Sequence, residues 1–251
     1  MGQITTPTEF QGNRHFEFSG ARSVEAAVNS HSVGLQADDY LCNALGTVQR
    51  NVAKECLLWE GDDADAVFKV VSGTLCIYRL MADGRRQVSR FCRAGQYLGL
   101  TATDVYPYNA EVVSDVELVR IRRRDFDEEV ERDPVLQKFM LGQVTEELRT
   151  AQRQLVLLGR KSAIEKVASF LLEFGSPTDA GCEDGPCIAI PMTRVDIADH
   201  LGLTHETVCR AFAQMRKDGV ISIPDPHLIE VRDRESLEDI AEGDRYEKLC
   251  A

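Results

Sequence analysis

Residues 192–212 read MTRVDIADHLGLTHETVCRAF, and the punctuation inside this stretch decides the fold. Thr193-Arg194-Val195-Asp196 has the form of a capping box, with Asp in place of the usual Glu or Gln. It opens a short helix whose apolar positions are Val195, Ala198 and Leu201. Gly202 then supplies a tight turn, and Thr204 can cap a second helix. Two short helices joined by a glycine-containing turn make a helix-turn-helix candidate.

The second helix has two faces. With Glu206 at zero and about 100° per residue, Val208, Ala211, Phe212 and Met215 fall between roughly 140° and 240°. Glu206, Cys209, Arg210, Ala213 and Gln214 fall opposite, offering a carboxylate, a thiol, a guanidinium and an amide. An arginine can donate a bidentate pair to guanine O6 and N7, and a glutamate can accept from cytosine N4. Glu206 and Arg210 also stand at i, i+4, so spacing alone equally allows an ordinary helix ion pair worth about a few tenths of a kcal/mol. Context tips the balance: Val220–Ile223, Pro224-Asp225-Pro226 and Leu228–Val231 follow as a hairpin, making a winged DNA-binding module. Against this, Arg194, Arg210, Arg216 and Lys217 are matched by Asp196, Asp199, Glu206 and Asp218, so the module is not basic. Its affinity would have to come from a few placed contacts, helix N-termini and dimer avidity. The expected DNA-contacting residues on these two helices are Thr193 and Thr204 at the helix starts, with Glu206, Cys209 and Arg210.

Upstream, after Asp133-Pro134, Leu141, Val144, Leu148, Ala151, Leu155 and Leu158 step by alternating threes and fours. That is a heptad seam. A helix packed on its own domain is one reading. The seam is narrower than the apolar face of a typical core helix, which favours pairing with a second chain. Before it, VFKVV (67–71), TLCIYRL (74–80), QVSRFC (87–92), NAEVV (109–113) and ELVRI (117–121) alternate with glycine turns, as in a sandwich or barrel-like β domain. The expected divisions are a loose polar arm over 1–30, a β domain over 31–130, a dimerisation helix over 131–160, the winged module over 161–235 and a tail over 236–251; the chain after about Arg232 is acidic and mixed and reads as a short helix or a frayed end.

The chain of 251 residues is long enough for two modest domains, and 43% hydrophobic with 28% charged residues is the balance of a soluble globule. No run approaches the ~18 apolar residues of a membrane span, and the first twenty residues lack the basic start and apolar stretch of a signal peptide. A cytoplasmic protein is expected, with its eight cysteines as reduced thiols. A net charge of −12 argues against non-specific coating of nucleic acid but leaves room for a local binding face. No His/Glu metal pair at helical spacing, phosphate-cradling loop or placed Ser/His/Asp set points to an enzyme.

MTRVDIADHLGLTHETVCRAF, preceded by LLGRKSAIEKVASFLLEF (157–174), resembles the CRP/FNR superfamily of bacterial transcription regulators, and its FixK-like branch most. The resemblance covers about residues 40 to 235. It implies an α+β chain: an N-terminal double-stranded β-helix (a β-roll of the cyclic-nucleotide-binding type), a long dimerisation helix and a C-terminal winged helix-turn-helix. It further implies a homodimer on a palindromic operator, recruiting RNA polymerase. Glu206 and Arg210 match the family's base-reading pair. His205 stands where CRP-like members carry arginine, which favours a site resembling TTGA-N6-TCAA, and Cys209 stands where FNR-like members usually carry serine.

The resemblance also frames the signal. Cyclic-nucleotide-binding members carry a Glu for the ribose and an Arg for the phosphate. Here Leu100 and Tyr108-Asn109-Ala110 stand at those places. Cysteines at 42, 56, 76 and 92 do not form the N-terminal cluster of iron–sulfur members. No cofactor and no metal are therefore expected, and the function expected is activation in oxygen-limitation or redox-related control. The alternative keeps the fold and adds a ligand, an iron–sulfur centre, or haem on His15 or His31. Cys182 and Cys187 read as loop thiols. Cys209 reads either as an oxidisable switch or as a passive contact to a thymine methyl.

Overall fold

The computed structural model describes residues 40–175 and 187–243. The arm expected over 1–30, His15, His31, Cys182 and Cys250 lie outside them. A short helix α1 (40–45) leads into a six-stranded antiparallel sheet rolled on itself. Its strands are β1 (Gly46–Asn51), β2 (Cys56–Leu58), β3 (Ala66–Leu80), β4 (Arg86–Arg93), β5 (Tyr97–Leu98) and β6 (Asn109–Arg122). The order is β1-β6-β3-β4, with β2 on β6 and β5 on β3.

The sequence pattern suggested five separate strands, yet β3 and β6 each fuse two of the expected runs. The interruptions at Ser72-Gly73 and Ser114-Asp115 are kinks where the two strands slip register against each other. Gly73 has φ +85°, and a Cβ there would lie 2.3 Å from the Asp115 carbonyl oxygen, so only glycine permits the strands to cross this closely. Leu75, Ile77, Leu98, Ala110, Val112 and Leu118 fill the roll.

Helix α2 (Arg123–Arg132) closes the roll, and Asp133 caps α3 (Pro134–Arg160) through its side chain, with Pro134 at the first helical position. Leu136 and Met140 of α3 bury against Leu41, Tyr97 and Ile121 under the roll. Beyond α3 come α4 (Ala163–Phe174), β7 (Cys187–Ala189), α5 (Arg194–Leu201), α6 (His205–Lys217), β8 (Ile221–Asp225), β9 (Leu228–Val231) and α7 (Arg234–Glu242). The expected hairpin is β8–β9, and β7 adds to it as a third strand in the order β7-β9-β8. Cys187 is disulfide-bonded, which corrects its reading as a reduced thiol. It is buried at the start of a paired strand, where its side chain is held in one place.

A tail starting at 236 is also corrected, because that boundary cuts through α7. Leu237, Ile240 and Ala241 are buried in the same core as α4, α5 and α6, and Lys161 Nζ donates to the Ala241 carbonyl at 2.9 Å. Full burial of each of the two larger side chains stabilises by roughly 1.5–3 kcal/mol. That core also takes in Cys76, Tyr78, Val88 and Phe91 from β3 and β4, so the roll packs directly on the helical module.

Candidate nucleic-acid interface

The interface is built on two capped helices. Thr193 Oγ1 accepts from Asp196 N at 3.2 Å, and the Asp196 carboxylate accepts from Thr193 N at 2.9 Å, which closes the capping box. Gly202 ends α5 in the left-handed region at φ 62°, with its N–H on the Ala198 carbonyl. Two residues later Thr204 Oγ1 accepts from Thr207 N at 3.2 Å and starts α6.

Val208, Ala211, Phe212 and Met215 are buried, as the angular reading of α6 predicts. His205, Glu206, Arg210, Ala213 and Gln214 are exposed, and Cys209 is half-buried at the edge of that face. Arg210 and Glu206 form the i, i+4 ion pair at 3.6 Å, with side chains 71% and 79% exposed. At that exposure the pair is worth little and is readily exchanged for other partners. Cys209 Sγ lies 3.5 Å from His205 Nε2, one turn toward the helix start.

Sequence reasoning overlooked Arg194 except as one cation in a charge balance. Its guanidinium stacks 3.8 Å over the Phe212 ring, and Nη2 donates to the Pro226 carbonyl at 3.2 Å. One side chain thus ties α5, α6 and the wing together. Burial holds the guanidinium below the usual arginine value, opposed by the neighbouring Cys209. A residue that both stacks and donates cannot be recognised from sequence position alone.

The acidic groups that counted against the module are mostly engaged. Arg86 of β4 pairs with Asp196 and with Asp199, the latter at 3.2 Å, and Asp218 accepts from Gln214 at 3.0 Å. The face left open is less acidic than the sequence count implies.

On α3, Leu141, Val144, Leu148, Ala151 and Leu155 are exposed, up to 72% for Leu155. Packing on its own domain therefore does not account for the seam. Leu158, its last member, is half-buried against the helical module, while Leu157 takes the core position beside it. Val156, outside the expected seam, is also exposed.

Inside the roll, Tyr108 reaches across so that its hydroxyl accepts from Gly99 N at 2.8 Å. Arg90, its side chain 17% exposed, donates to the Tyr97 carbonyl at 3.3 Å and pairs with Glu147 of α3 at 3.2 Å. Burial pushes the Cys76 thiol up to about 12 and raises Cys92 as well, so neither supplies a thiolate at neutral pH. Among the described residues no group of three or more His, Cys, Asp or Glu side chains is placed to hold a metal ion, and no helix is long and apolar enough to cross a membrane.

Two family models match: the Crp-like helix-turn-helix domain over residues 165–240 and the cyclic nucleotide-binding domain over 49–133. The nitrogen fixation regulation protein FixK of Azorhizobium caulinodans is 40% identical over 180 residues, 70% of this chain and 73% of that one. The chain belongs to the CRP/FNR family, on its FixK-like branch. The transcriptional activatory protein AadR of Rhodopseudomonas palustris is 37% identical over 68% of this chain and 71% of its own. The structure of FixK2 from Bradyrhizobium japonicum superposes with a TM-score of 0.73 at 33% identity, covering 78% of this chain and 97% of that one. As a CRP/FNR member the protein is a DNA-binding transcription regulator rather than an enzyme.

Proposed function

We propose that the protein is a homodimeric transcription activator that reads a TTGA-N6-TCAA-type palindrome, without a bound cofactor, in oxygen-limitation or redox-related control. The observation that carries this reading is the face of α6: Glu206 and Arg210 are solvent-facing on a helix whose other side is fully committed to the core. Arg210 is assigned to a guanine and Glu206 to a cytosine. His205 and Cys209 lie beside them, and Thr193 and Thr204 mark helix starts where N–H groups favour backbone phosphates. Leu141, Val144, Leu148, Ala151, Leu155 and Leu158 form the dimer seam. The dimer places two recognition helices on half-sites one turn of DNA apart, and recruits RNA polymerase from the cytoplasmic pool. Activation is supported by the similarity to the transcriptional activatory protein AadR. Cys209 would link DNA binding to oxidants.

The test is an anisotropy titration of reduced protein on a TTGA-N6-TCAA duplex, with a CRP-type TGTGA palindrome and Arg210→Ala as controls. Selective binding that Arg210→Ala weakens by roughly ten- to a hundredfold is expected, one bidentate base contact being worth about 1–3 kcal/mol. Equal binding to both duplexes, or none without an added effector, would overturn the reading.

A further inference from the structure

The contact between β4 and α5 joins the roll to the DNA-reading module through polar groups as well as through the shared core. Arg86 opens β4. Its guanidinium lies 5.1 Å over the Tyr78 ring and meets three carboxylates: Asp196, Asp199 at 3.2 Å and Glu111 at 3.4 Å. The guanidinium side chain is 22% exposed and that of Asp196 14%. The next residue, Gln87, donates from Nε2 to the Asp199 carbonyl at 3.0 Å, and the Val88 carbonyl accepts from His200 Nδ1 at 3.3 Å. Three successive β4 residues therefore hold the polar groups of α5 from one side.

Asp196 does double service. One oxygen accepts from Thr193 in the helix cap, and the other faces Arg86. The start of α5 is thereby fixed to the roll. Helix α5 is packed on α6 through Ile197, Ala198, Leu201, Val208 and Phe212, so its orientation sets that of the recognition helix. None of the Arg86 contacts touches His205, Glu206, Arg210 or Gln214, so the tether leaves the reading face open.

We propose that Arg86 is a positioning residue for DNA reading: from the β-roll it holds each helix-turn-helix at the orientation in which both recognition helices of the dimer meet their half-sites. This rests on the homodimeric palindrome reading above. Loss of Arg86 does more than delete a bond. It leaves Glu111, Asp196 and Asp199 as neighbouring, partly buried like charges, and the interface turns from attractive to repulsive. A module that swings freely still recognises one half-site, but it loses the gain from engaging two at once.

The experiment compares full-length wild type, Arg86→Gln and Arg86→Lys on two duplexes, one carrying TTGA-N6-TCAA and one carrying a single TTGA half-site. Arg86→Gln is expected to lose tenfold or more on the palindrome and less than twofold on the half-site. Arg86→Lys should fall between, since it keeps the charge without the fork. Unchanged affinity on both duplexes, or an equal fall on both, would overturn the role. Wild type that fails to prefer the palindrome would sink the dimeric reading beneath it as well, a result visible before any variant is compared. Near-UV circular dichroism and sedimentation check that Arg86→Gln is folded and dimeric. Should it not fold, Asp199→Asn, which leaves the α5 cap intact, is expected to lose about threefold on the palindrome alone, and no selective loss there overturns the proposal.

Discussion

Arg90 of β4 and Glu147 of α3 pair at 3.2 Å, and the arginine is mostly covered by the roll while the carboxylate sits close to the exposed seam. This ion pair runs from the interior of the β domain to the helix proposed to carry the dimer. Burial alone would lower the arginine's proton affinity; the Glu147 carboxylate opposes it, and the guanidinium ends above its ordinary value. Glu147→Ala would leave a mostly covered cation without its carboxylate. Since Glu147 is about half exposed, the cost is set below that of a fully buried pair, at roughly 1–2 kcal/mol. A fall in the urea midpoint of corresponding size is expected, with Arg90→Met,Glu147→Ala recovering part of it. A double variant no more stable than Glu147→Ala would show that the pair is not what holds Arg90.

His200 predicts a pH dependence. Its ring lies edge-on to Phe91 at 5.3 Å and to Phe170 at 5.9 Å, and burial pulls its pKa from 6.5 to about 4. The Val88 carbonyl can only accept, so the neutral ring carries its proton on Nδ1. Between about pH 4 and 6.5 the unfolded chain binds the proton and the folded one does not. Stability from this group is therefore full above pH 6.5 and is lost as pH falls toward 4, in total about 3 kcal/mol. Urea unfolding at pH 7 and pH 5 should show this slope in wild type and a flatter one in His200→Phe. Identical slopes in both proteins would remove His200 as the cause.

The legibility of these features in sequence follows their range. Helix caps, the two faces of α6 and the wing were readable because each depends on residues within one or two turns of each other. The roll was readable as a β domain, but Gly73 looked like a turn when it marks a kink inside one long strand. Strand β1, GTVQRN, was missed because it is mostly polar and half of its residues are exposed. Leu237, Ile240 and Ala241 carry helical spacing, and of the short helix or frayed end expected after about Arg232 the helix is what forms, as α7. No local pattern pairs Arg86 with Asp196 or Arg90 with Glu147, since those contacts span 110 and 57 residues and exist only once the domains meet.

The α3 seam yields a prediction that separates assembly from folding. Leu148 is 57% exposed in the single chain, so Leu148→Glu removes little that the chain's own fold uses. The unfolding free energy of the monomer itself, with the contribution of association taken out, should move by no more than about 0.5 kcal/mol. In a symmetric dimer the residue is lost twice, and at roughly 1.5–3 kcal/mol per buried leucine the dimer should weaken by at least a hundredfold. Sedimentation velocity at micromolar concentration should find dimer for wild type and monomer for the variant. A variant that stays dimeric would place the interface elsewhere.

Cys209 is the half-buried thiol on the reading side of α6, with His205 Nε2 at 3.5 Å and the Arg194 guanidinium nearby. Hydrogen peroxide is attacked by a thiolate at one oxygen, giving the sulfenic acid and hydroxide; a second equivalent gives the sulfinate, which adds negative charge where bases and phosphates would sit. Buried Cys76 and Cys92 are held protonated and are poor competitors. Peroxide should therefore weaken wild-type binding to the TTGA duplex by tenfold or more and leave Cys209→Ser unaffected, with dithiothreitol restoring the sulfenic form only. If Cys209→Ser loses binding just as wild type does, the oxidised site is another thiol. If peroxide affects neither, Cys209 is a passive contact, and its replacement by Ser should cost affinity only on duplexes whose facing base is a thymine, through its methyl group.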